Sequence, residues 1–112
     1  MDSILTSIKK LLGITEEYAH FDVDIIMHIN DAFMTLNQLG VGPSNGFSIS
    51  SDRELWKDFL SDDKNLEAVK TYVFKKVKMA FDPPQSSSVI DAYNRSIQET
   101  EWRLNVQVEK RG

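Results

Sequence analysis

Apolar residues recur along most of this chain at helical spacing. Ile4, Leu5, Ile8, Leu11 and Leu12 fall on one side of a helix, Asp2 or Ser3 can cap its start, and Gly13 follows where a left-handed residue favours glycine. This predicts a short first helix, roughly Ser3 to Leu12. After a polar step, ITEEYAHF, Asp22 offers an N-cap. Ile25, Ile26, Ile29, Phe33, Leu36 and Leu39 then form a stripe that Gly40 closes. The next stretch holds Gly42, Pro43 and the turn signal Asn45-Gly46, while Phe47-Ser48-Ile49-Ser50 alternates apolar with polar. Gly40 to Ser51 is therefore expected to be an irregular loop or a short hairpin.

Asp52 can cap a brief helix through Leu55, Trp56, Phe59 and Leu60. A long helix is expected from about Leu66 to Phe81, where Asp82-Pro83-Pro84 stops it. Ser86 to Ser88 offer caps for a last helix carrying Ile90, Tyr93, Ile97 and Leu104. Beyond Leu104 the valines Val106 and Val108 alternate with Gln107 and Glu109, which suits an extended strand. Helix follows helix through short connections, so the expected fold is all-α: a small bundle of about five helices over 1–104, with an extended C-terminal tail over 105–112. The chain shows no internal repeat and no low-complexity segment.

Composition narrows the function classes. With 112 residues the chain suits one domain, and at 41% hydrophobic and 27% charged it reads as globular. The absence of cysteine excludes disulfide scaffolds, thiolate-held zinc and thiol nucleophiles. No apolar run reaches the roughly 20 residues of a membrane helix, and Lys9-Lys10 break the basic-then-apolar order of a signal peptide. A net charge of −4 argues against general nucleic-acid binding. The acidity is uneven: residues 1–60 hold 4 basic and 9 acidic side chains, and the remainder 9 and 8.

Chemistry-bearing patterns are sparse. Gly40, Gly42 and Gly46 follow a helix and no Lys-Ser or Lys-Thr follows them, so they read as turns rather than a phosphate loop. His20 and His28 lack further ligands at metal-site spacing, and the carboxylate clusters sit at helix starts, where they complement the dipole. Met27, Met34 and Met79 read as core. Lys70, Lys75, Lys76 and Lys78 read as a solvated helix face; as a recognition helix they would make the chain a small helix-turn-helix DNA-binding regulator. No catalytic residue, cofactor or metal is assigned.

Four segments, IKKLLGI, IIMHINDAFMTLNQLGVGP, FDPPQSSSVIDAYN and ETEWRLNV, together resemble the head–tail connector (adaptor) proteins of long-tailed phages. The resemblance covers most of the chain. It implies a structural virion protein at the head–tail interface, in the host cytoplasm before assembly. Its copies would form a twelve-membered ring between the portal and a tail-proximal connector or stopper protein, extending the channel through which DNA passes without specific binding. The family has no residue motif to carry over, so partner-binding residues are expected from chemistry. Val106 and Val108 would add a strand to a partner's edge, and Lys110 and Arg111 would meet an acidic rim. Trp56 and Trp102 either anchor interfaces or fill the core. A channel wall drawn from the acidic half and the Gly40–Ser51 loop would let DNA slide.

Overall fold

Ser3 begins the first helix, α1 (Ile4–Leu12), by accepting the Thr6 N–H on its hydroxyl at 3.1 Å. Gly13 ends it at φ +83°, donating its N–H to the Lys10 carbonyl at 3.1 Å. The computed structural model describes residues 2–61 and 63–111, the side chains of residues 63, 110 and 111 excepted. Four more helices follow: α2 (Asp22–Gln38), α3 (Trp56–Phe59), α4 (Asp63–Phe81) and α5 (Ser87–Arg111). All regular structure among the described residues is helical, as the periodicity predicts.

The bundle is built around α4, which packs against α1, α2 and α5. Val69, Val73 and Val77 of α4 are fully buried together with Ile4 and Ile8 of α1 and Ile25, Ile29 and Phe33 of α2. The extents are 42 × 35 × 20 Å.

The segment between α2 and α3 forms no hairpin, although its alternation is real. Phe47 and Ile49 pack towards the core while Ser48 and Ser50 are exposed. The partner is a side chain. Asn30 donates from Nδ2 to the Ile49 carbonyl at 2.9 Å and accepts the Ile49 N–H at 2.7 Å, making both bonds that a neighbouring strand would make. Phe33 anchors the segment from below, with ring centroids 5.1 Å from Phe47 and 4.6 Å from Phe59. At Gly42, φ is +90° and the Phe59 ring lies where a Cβ would stand, so glycine is required twice over.

Two caps differ from expectation. Asp22 is inside α2 rather than its cap, and Phe21 precedes it without a capping side chain. The Asp22 carboxylate instead pairs with Lys9 at 2.9 Å. Asp52 does not cap α3; the Asp58 carboxylate accepts the Leu55 N–H at 2.9 Å.

The larger correction concerns the tail. Asn105 to Arg111 is the end of α5, not an extended segment. Extending an existing helix avoids the cost of nucleation, and no Gly or Pro interrupts the run before Gly112. Val108, four residues beyond buried Leu104, packs on the core beside Gly40. The valines therefore obey the helical period.

Candidate docking surfaces

α2 is apolar on two sides. Its core side is Ile25, Ile29, Ala32, Phe33 and Leu36, all fully buried. At about 100° per residue, Val23, Met27 and Met34 fall within about 40° of one another on the other side. They are 80%, 59% and 61% exposed. Exposed Asp24 and Asp31 run beside them, and the chain has no lysine or arginine between Lys10 and Arg53. The outer face of α2 is thus an apolar strip in an acidic setting.

Lys9 fixes how α2 enters the bundle. Its ammonium is 2% exposed and meets three oxygens: the carbonyls of Glu16 at 3.0 Å and Tyr18 at 2.8 Å, and the Asp22 carboxylate. The two carbonyls accept hydrogen bonds from it, and the Asp22 carboxylate offsets its buried charge. This buried cation folds the 13–21 connection back onto α1 and sets the start of α2.

α5 also has two faces. Ile97 and Leu104 are buried, and two polar contacts seat the helix on α4. Tyr72 donates its hydroxyl to Glu101 at 2.7 Å, and Lys75 donates to the Ser96 hydroxyl at 2.6 Å. Burial pushes the Tyr72 phenol well above its ordinary pKa, and the Glu101 carboxylate reinforces the shift, so the hydroxyl stays a donor. Trp102, about 140° round from Ile97, is 66% exposed. Arg95, two turns before Trp102 on the same face, is exposed, and half-buried Val106 lies one turn after it.

The expected interface residues separate accordingly. Trp56 is a core residue, 4% exposed, with its indole N–H donated to the Ser7 hydroxyl at 2.9 Å. Trp102 faces outward. Val106 and Val108 lie about 200° apart on one helix and cannot serve one strand edge. The side chains of Lys110 and Arg111 lie outside the described residues.

The reading of Met27 and Met34 as core is overturned by their exposure; Met79 does pack partly against the core. The spacing of Val23, Met27 and Met34 by four and seven residues was the available signal. Of the lysines 70, 75, 76 and 78 on α4, three are engaged within the chain: Lys70 with Glu67, Lys75 with Ser96 and Lys78 with Asp82. Among the described residues no three His, Asp or Glu side chains converge as metal ligands would. No helix there is long and apolar enough to cross a membrane.

The model of one protein family, described as Phage connector protein, matches residues 4–111, a span that includes all five helices. No curated protein and no solved structure matches the chain.

Proposed function

Because the chain belongs to the phage connector protein family and so serves as a head–tail connector, we propose that its copies close into a twelve-membered ring between the portal and the tail-proximal connector or stopper protein. The ring extends the DNA channel, and the protein acts structurally rather than by catalysis. The family match across all five helices carries this reading. The outward apolar faces of α2 and α5 support it, since a closed ring needs two different patches on each subunit.

Copies reach the head–tail interface of the virion from the host cytoplasm. The channel wall is polar or acidic, drawn from the acidic half and the loop after Gly40, so that phosphates are not held as DNA passes. The C-terminal end of α5, with Lys110 and Arg111, reaches an acidic rim on the portal.

Imaging of connector-bearing particles tests this directly. Twelve copies beneath the portal are expected, with polar or acidic side chains lining the pore. A closed dimer with no ring in any particle would overturn the proposal.

A further inference from the structure

Resting on the ring reading, we propose that each subunit seats Trp102 and Arg95 of its α5 on the Val23–Met27–Met34 strip of the next copy's α2. Both surfaces are exposed and apolar in the isolated chain, where hot spots of association are expected. Both helices turn their core faces towards α4, so their outer faces are two separate patches on the subunit. A head-to-tail contact joins two such patches, and repetition closes a ring.

Charge selects the same pairing. Asp24 and Asp31 flank the methionines, seven residues apart on α2. Arg95 and Trp102, also seven apart, share the outer face of α5, and Arg95 makes no ion pair among the described residues, whereas Arg103 is paired with Glu99. Arg95 can therefore meet an aspartate while Trp102 lies on the methionines, whose flexible thioethers adapt to an indole. A two-fold contact of α2 on α2 would instead bring together two acidic faces with no basic residue to offset them. The occupant of α2 is thus the α5 face of a second copy.

The chain has no cysteine, so introduced thiols are unique. Asp31→Cys marks the edge of the α2 strip, one turn from Met27, and Gln98→Cys stands one turn from Trp102. Each full-length variant, alone and mixed with the other, is assembled on portal-bearing capsids and treated with a short bis-maleimide. Linked dimers are expected only in the mixture. Trp102→Ala placed in the Gln98→Cys chain should lower their yield at least tenfold while circular dichroism stays unchanged.

Linking of Asp31→Cys alone, or yields indifferent to Trp102→Ala while imaging still shows rings, would overturn this contact and leave the ring standing. Particles without any ring would remove the ring reading itself.

Discussion

The loop after α2 and the last turns of α5 carry the same local pattern and adopt different backbones. Phe47-Ser48-Ile49-Ser50 and Val106-Gln107-Val108-Glu109 both alternate apolar with polar. In the loop the alternation describes what is buried, because the backbone there is not helical and Asn30 satisfies the Ile49 N–H and C=O. In α5 it is incidental: the preceding helix satisfies each new N–H, and the residues that matter are Leu104 and Val108, one turn apart. Alternation alone therefore does not specify a strand. What decides is where the backbone groups find partners, a neighbouring side chain in one case and the previous helical turn in the other.

The sharpest way to break this contrast is to remove the loop's surrogate strand. Asn30→Ala leaves the Ile49 N–H and C=O without their partner in a half-buried site. The expected loss is about 2 kcal/mol of unfolding free energy, in the range for stranding polar groups. Urea denaturation measures the loss, and amide exchange should show faster opening at Ile49 with little change in α5. An unaltered exchange rate at Ile49 would mean that the aromatic anchors alone hold the loop.

A smaller effect sharpens the other side. On a strand, Val106 and Val108 would share a face and respond alike to truncation. On a helix they do not. Val108→Ala removes methyl groups packed beside Gly40 and should cost about 1 kcal/mol, whereas Val106→Ala on the outer side should cost under about 0.5 kcal/mol. Equal losses in thermal or urea melts would restore the extended reading.

The five helices were legible because their stripes keep the helical period and their breakers are strong: Gly13, Gly40 and Asp82-Pro83-Pro84 all mark real ends. The end of α5 was missed because two β-branched residues in alternation outweighed the Ile97–Leu104–Val108 spacing. Of the candidate surfaces, Trp102 was legible as one of two alternatives. The α2 strip was not, since a second apolar stripe on a helix already burying one looks like a broader core until a neighbour fails to cover it. Lys9 was missed too, although it stands four residues after Leu5 on the apolar side of α1, an unusual place for a solvated lysine. Its partners, two carbonyls and Asp22, come from a connection whose path no local pattern specifies.

The smallest expected effect concerns the far end of the loop, where a carboxylate takes the place of a ladder. Burial alone would raise the pKa of Glu54, but the Ser50 N–H, its own N–H and the hydroxyls of Ser51 and Ser50 outweigh that and hold it below the ordinary value. A carboxyl whose pKa is lowered by folding adds stability above its unfolded pKa and loses it as the pH falls through the folded value. Acid should therefore erode this end of the loop. Glu54→Gln keeps the shape but removes the charge, so it should be slightly less stable than the native chain near about pH 7 and match it near about pH 3. The gap should stay under about 1 kcal/mol, because the carboxylate is only partly buried and solvent screens it. Urea melts of both proteins across that interval read it directly; a gap that does not close in acid would show that shape rather than charge holds Ser50 and Ser51 in place.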